Sequence, residues 1–417
     1  KDEPEGRSGF AHLFEHLMFN GSENYNDDYF QAIERIGGTD VNGTTWFDRT
    51  NYFQNVPKSA LDIALFMESD RMGHFKGAID SARLDEQRDV VKNEKRQSEN
   101  QPYGQTWNYI VKQCFPVGHP YHHTTIGSME DLSAASLEDV REWFSTYYGP
   151  SNAVKAIAGD ISAEEAYKKV NAYFGNIPSG PPIGIQVKNI AKRTEDSRDL
   201  LYDRVPQVRL EMVYNVAPWG SDDAFMLDLA ANVLSQGKNS RLYKRLVYDQ
   251  QLCTYVSANN EEFEIAGLFN IQADVKPGVD QAQVEAIIDE ELNRFIKEGP
   301  TLEELNRVKT QYFASFIRGI ERIGGFGGKS DILASNMIYG GSPDFYMTRL
   351  KATKEATREE VQRAAEKWLT SGRYTLETVP FPEYSTTGED IDRKKLPEMG
   401  PDATVMFPQL ERSKLSN

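Results

Sequence analysis

Hydrophobic positions along the chain switch between a helical period and a strand period, and the switches mark out the elements. Phe10, Leu13, Phe14, Leu17 and Met18 recur at helical spacing, with Ser8 in an N-cap position and Gly21 where such a helix would end. Asn26-Asp27 can cap a second helix over 28–36, closed by Gly37-Gly38. Residues 39–46 and 50–56 read as two strands around a short turn, the second stopped by Pro57. A helix over 59–75 carries the stripe Leu61, Ala64, Leu65, Met67 and Met72. A charge-dense helix over 81–101 has few apolar positions: Leu84, Val90 and Val91. Helices over 105–115, 136–148 and 162–174, with a strand over 153–158, complete the first half. The second half predicts strands near 199–204 and 207–215, helices over 222–236 and 240–250, and strands over 253–260 and 265–273. Helices over 279–298, 302–320, 327–338, 344–352 and 357–369 follow, and a strand over 373–379 ends the folded part.

This succession gives an α+β protein of two similar domains, 1–180 and 199–380. They are joined by a Pro- and Gly-rich linker over 181–198 and followed by a charged tail over 381–417. A weak internal repeat supports the pairing. The helix holding Trp143 leads through Gly149 to the strand over 153–158, and the helix holding Trp368 leads through Gly372 to the strand over 373–379. The second copy has no histidine, so a metal site built on imidazoles belongs to the first.

Composition narrows the function. The chain has 417 residues, 39% of them hydrophobic, enough for a large core. Its formal net charge of −16 argues against nucleic acid as a partner, because nothing would neutralise phosphates. Cys114 and Cys253 form no metal spacing and no arguable disulfide. No run of eighteen apolar residues and no signal peptide is visible. The chain opens without Met, so the missing signal carries no weight.

The candidate chemistry sits on the first helix. His12 and His16 lie one turn apart, roughly 6 Å along the axis, on one face. Two imidazoles so placed can hold one zinc ion. Glu15 lies beside them, placed to take a proton from a water at the ion rather than to bind it. The order His12-Leu13-Phe14-Glu15-His16 is the inverted form of the commoner zinc-peptidase motif. The competing reading is a partly buried polar patch, which would be costly on so apolar a helix without a partner. Glu94, one turn after Val90 and Val91, is the candidate third ligand, with Glu86, Asp89 and Glu99 on the same helix as alternatives. The cluster His119, His122 and His123 reads as structural or surface, as does His74. The run 324–330 fails the phosphate-loop pattern, since Ile323 stands where its first glycine is needed, and it follows a helix rather than a strand.

These residues resemble the pitrilysin/insulinase zinc metallopeptidases. The inverted motif of His12, Glu15 and His16 matches, as does the distal segment Val90-Val91-Lys92-Asn93-Glu94. The stretch 37–45 with Asp48, Thr50 and Tyr52 resembles the strand bordering the family's cleft, and Ser240-Arg241-Leu242-Tyr243 with 254–257 resembles its second-domain signature. The resemblance implies two α/β-sandwich domains forming one half of a clamshell. It implies Zn²⁺ on His12, His16 and Glu94, Glu15 as general base and then acid, and a peptide laid along Asn42, Gly43 and Thr44. Two departures stand out. Gln87 occupies the place of a supporting glutamate. Tyr255 fits the tyrosine of the family's Arg–Tyr carbonyl grip, but Tyr248 stands at the arginine. The resemblance therefore implies a zinc-bearing half whose Arg–Tyr pair comes from a second homologous half, fused or separate. It also implies that strands preceding the zinc helix are missing, and that the end of the tail leads toward a following half. The expected activity is zinc-dependent hydrolysis of peptides or small unfolded polypeptides. The alternative is a non-catalytic peptide-binding or scaffold subunit of the same fold. Two-half bacterial relatives point to the periplasm rather than the cytoplasm.

Overall fold

In the computed structural model, which describes residues 1–184 and 187–382, the first apolar stripe folds as α1 (Phe10–Leu17). Phe10, Leu13, Phe14 and Leu17 are fully buried among Phe75, Leu84, Val91 and Trp143. Each such side chain contributes roughly 1.5–3 kcal/mol. The start of α1 differs from the sequence reading. Gly9 is the N-cap, at φ 89°, and the Ser8 hydroxyl donates to Asp131 instead of capping. The helix amides are taken by Glu3, whose two carboxylate oxygens accept from Gly9 N at 2.9 Å and Ala11 N at 2.7 Å. A carboxylate at this end also suits the helix dipole.

The first half continues with α2 (Tyr29–Arg35), β1 (Thr39–Trp46), β2 (Arg49–Asn55), α3 (Leu61–Gly73), α4 (Ser81–Glu99), α5 (Thr106–Cys114), α6 (Met129–Ala134), α7 (Leu137–Tyr147) and α8 (Ala163–Phe174). β1 and β2 pair antiparallel with each other alone, Gly43 opposite Tyr52, Thr44 opposite Asn51 and Thr45 opposite Thr50. The strand expected over 153–158 is not formed. Among the described residues no strand lies beside it, and an apolar segment without a neighbour has nothing to complete a ladder. Val154 is left exposed there.

The second half contains β3 (Ser197–Asp203), β4 (Arg209–Val216), α9 (Asp222–Ser235), β5 (Cys253–Glu262), β6 (Gly267–Val275), α10 (Gln281–Glu298), α11 (Leu302–Gly319), α12 (Lys329–Gly340), α13 (Tyr346–Glu355), α14 (Arg358–Trp368) and β7 (Tyr374–Pro380). The helix expected over 240–250 is a π-helix at Tyr243–Asp249. The strands form one sheet in the order β3-β7-β4-β6-β5, antiparallel except for β3 beside β7. β4 is buried on both faces, its apolar residues interrupted by the buried Glu211 and Asn215. Leu210, Met212 and Tyr214 pack with residues of α9, α10 and α14, while Val213 packs with Ile110, Val111 and Cys114 of α5. The sheet of the second half is thereby covered by a helix of the first, and Lys1–Pro380 pack as one unit. This is the helix-covered, antiparallel-rich α+β fold the sequence implies. Among the described residues no helix is long and apolar enough to cross a membrane. The expected lead into a following half falls on 383–417, outside the described residues.

Candidate metal centre

Burying one side of α1 turns its polar side toward α4 and β1. α4 is anchored by Leu84 and Val91 in the same core, and Glu94 lies one turn beyond Val91. Its Oε2 stands 3.4 Å from His16 Nε2 and 3.8 Å from His12 Nε2. The two imidazoles meet edge to face with centroids 4.8 Å apart. One donor atom from each of the three residues lies within 4.8 Å of the others. Donors sharing a tetrahedral zinc ion at its usual bond lengths stand about 3.3 Å apart, so the trio fits with little adjustment. Among the described residues no other group of three or more His, Cys, Asp or Glu side chains gathers in this way.

The electrostatics suit a cation. Burial, reinforced by the neighbouring His16 and opposed by Glu94, pushes His12 down to about 4, so its ring is neutral and its lone pair available. His12 Nδ1 is buried without a hydrogen-bond partner. The His16 hydrogen bond lowers Glu94, against the effect of its own partial burial, and keeps it anionic. Two imidazoles and one carboxylate are the donor set of a hydrolytic zinc site with a position left open.

Glu15, beside the trio on α1, reaches β1. Its Oε2 accepts from Thr45 Oγ1 at 2.6 Å, and Thr45 lies 3.2 Å from Thr50 Oγ1. Burial raises the Glu15 carboxyl, and the Thr45 hydrogen bond pulls it back. Gly43 leaves room for it: a Cβ there would stand 2.9 Å from Glu15 Cγ and 3.1 Å from Phe19 Cε2. A cavity of about 570 Å³ opens beside Glu15 and His16, bordered by Phe19, Asn42, Glu86 and Gln87.

Gln87 therefore borders the site, as does Glu86, while Asn42 turns its Oδ1 to the Gly43 amide at 2.9 Å. Thr44 faces the other side of the hairpin, where its hydroxyl donates to Asn51 Oδ1 and receives Arg49 Nη1 at 2.6 Å. Tyr255 sits half-exposed on β5, the outer strand of the five-stranded sheet, and is not among the residues around Glu15, His16 or Glu94. The second histidine cluster is held by backbone. His119 Nε2 meets Asn189 O at 2.8 Å, His122 Nδ1 meets Phe115 O at 2.7 Å, and His123 Nδ1 meets Thr124 O at 3.1 Å. Sequence reasoning passed over Thr45 and Glu3. Strand alternation puts Thr45 on the same face as Gly43, a signal that was present. Nothing in the sequence marks Glu3.

Comparison with known proteins gives the ancestry of this arrangement. Residues 1–119 match the sequence profile of the insulinase family, peptidase family M16, and residues 134–312 match the profile of the peptidase M16 inactive domain. The chain belongs to the insulinase family. A relative, the zinc protease PqqE of Helicobacter pylori, is 28% identical over 345 residues, 82% of this chain and 77% of that protein. The crystal structure of a protease from Helicobacter pylori superposes with a TM-score of 0.82 at 24% identity, covering 91% of each chain. The periplasmic protease PqqL of Escherichia coli matches 91% of this chain with a TM-score of 0.71 and 17% identity, but only 43% of its own chain is covered. At these identities the structural likenesses speak for the insulinase fold alone. The match to an inactive-domain profile falls mainly on the half that has no histidine.

Proposed function

We propose that this chain is the zinc-bearing half of a metalloendopeptidase that hydrolyses peptides or small unfolded polypeptides. The carrying observation is the convergence of His12, His16 and Glu94 from two helices beside a carboxylate, Glu15, that Thr45 holds out of the ligand set. A zinc ion held by the trio supplies Lewis acidity toward the scissile carbonyl and toward water. Glu15 accepts the proton of the attacking water and delivers it to the leaving amine. With Oε2 occupied by Thr45, Oε1 carries that proton. Burial, which raises the carboxyl, makes it the stronger base toward that water. The peptide is laid as an added strand along the edge of β1 not used by β2, where main-chain pairing suits many sequences. The Arg–Tyr grip on the carbonyl comes from a second homologous half, since Tyr248 stands at the arginine position of this one. The rival reading, peptide capture without cleavage, draws on that same residue and on the neutral Gln87 bordering the site.

The test combines zinc content with cleavage of a quenched fluorescent peptide, by this chain alone and beside a second half. Stoichiometric zinc with turnover in the combined sample, abolished by Glu15→Gln without loss of zinc, is the expected result. Zinc without turnover in either sample selects peptide capture. A chain that binds no zinc overturns both the ligand set and the reading built on it.

A further inference from the structure

The glycine-rich run that fails as a phosphate loop has another use. Residues 320–328 join α11 to α12 in the second half, yet they lie on the hairpin that borders the zinc helix. Gly43, Thr45, Thr50 and Tyr52 face Glu15 and the core behind it. Thr44, Asn51, Phe53, Asn55 and Arg49 face the opposite way, toward this turn. Asn51 Nδ2 donates to Asp331 Oδ1 at 3.2 Å, and Gly327 N donates to Asp331 Oδ2 at 2.9 Å. One carboxylate thus ties the β2 strand to the turn. Phe326 lies against Phe53, with centroids 6.4 Å apart, and carries the Arg49 guanidinium 5.4 Å above its ring. Arg49 in turn crosses the hairpin to Thr44 O at 2.8 Å. The approach needs Gly324, and the turn's own backbone needs Gly325 and Gly327. A Cβ at Gly324 would fall 2.0 Å from Asn55 Oδ1, and Gly325 and Gly327 hold φ of 75° and 78°.

A two-stranded hairpin alone is marginal in water, so the support on this second face sets how rigid β1 is. We propose that the 320–331 segment is a clamp contributed by the second half, with Asp331 as its positioning residue. It fixes the edge of β1 on which an extended polypeptide is laid. The ligand it serves rests on the peptidase reading above, whereas the clamp itself does not. α12, which follows the turn, buries none of its own residues, so the hairpin is the footing of this region as much as the reverse.

The experiment uses the full chain and the variants Asp331→Ala, Asp331→Asn and Phe326→Ala. Hydrogen exchange read by mass spectrometry should show the 39–55 segment of Asp331→Ala exchanging about tenfold faster, with α1 and the five-stranded sheet unchanged. Asp331→Asn, which keeps one acceptor, should fall between, and Phe326→Ala should act in the same direction. In a Glu15→Gln background, Asp331→Ala should weaken binding of a fluorescein-labelled unstructured peptide about tenfold, with zinc content unaltered. Unchanged exchange over 39–55, or exchange accelerated equally throughout the chain, overturns the clamp. If Glu15→Gln binds no peptide while 39–55 still responds to Asp331, the peptidase reading fails and the clamp stands as a support of the hairpin.

Discussion

Removing the guanidinium of Arg71 tests what holds the floor beneath the zinc helix. Arg71 is 2% exposed. It lies 4.2 Å from the Tyr29 ring centre and 4.5 Å from that of Tyr52, and its Nη2 and Nε reach the Glu68 carboxylate at 2.7 and 3.0 Å. Burial alone would push Glu68 up; the Arg71 charge and hydrogen bonds, together with Lys155 and the Gln54 amide, outweigh it and bring Glu68 from 4.5 to about 2. At about 1.4 kcal/mol for each tenfold, that depression is worth about 3 kcal/mol, close to the roughly 3–5 kcal/mol lost when one partner of a buried pair is removed. The sign follows from the direction. Glu68 contributes this stability fully above pH 4.5, and it is lost as pH falls toward 2. In Arg71→Met the buried carboxyl loses its partner and titrates above its ordinary range, so its penalty grows as pH rises past that point. Urea unfolding followed by tryptophan fluorescence should therefore show a larger gap between wild type and Arg71→Met at pH 8 than at pH 4.5. Adding Glu68→Gln to Arg71→Met should recover most of the gap at pH 8. An equal loss at both pH values, with no recovery from the second change, would refute the assignment of this stability to the ion pair.

Three further outcomes bear on the site. Thr45→Val removes a hydrogen bond to a carboxylate worth about 1.5 kcal/mol, so kcat/KM should fall about tenfold with zinc content unchanged, and Thr45→Ser should restore it. Gly43→Val places carbon where Glu15 Cγ and Phe19 Cε2 already stand; peptide turnover should drop at least as far, read in the same assay with zinc content as the control. Zinc at a hundredfold over its dissociation constant should stabilise the wild type by about 2.7 kcal/mol. A thermal scan should show no such gain for Glu94→Gln, whose neutral amide is a poor ligand.

Much of the site was legible because helical spacing is local. His12, Glu15 and His16 need only the pitch of one helix to share a face; Val90 and Val91 together were the signal for Glu94, and of the two only Val91 packs inward while Val90 is exposed. What escaped depends on distant partners. Glu3 caps α1 from eight residues away, through a fold of the chain that no periodicity announces. The segment over 153–158 has the composition of a strand, but a strand is made by its neighbour, and among the described residues β1 and β2 engage only each other. The glycine run showed in the sequence only that it does not match a phosphate loop. Its actual contact, Asp331 on Asn51, spans 280 positions. Arg71 is singled out by nothing in the sequence, because only the fold shows Tyr29, Tyr52 and Glu68 closing around it.

All six histidines precede residue 124, and the structure divides five of them, all but His74, by occupation. His119, His122 and His123 have a ring nitrogen committed to a backbone carbonyl, whereas His12 and His16 face Glu94 and each other. For magnetic resonance this is a built-in set of reporters with internal standards. In a zinc titration the imidazole signals of His12 and His16 should move together while those three stay still. Since the second half contributes no imidazole signal, binding of another subunit to that half would be silent in this region of the spectrum unless it reached the metal centre.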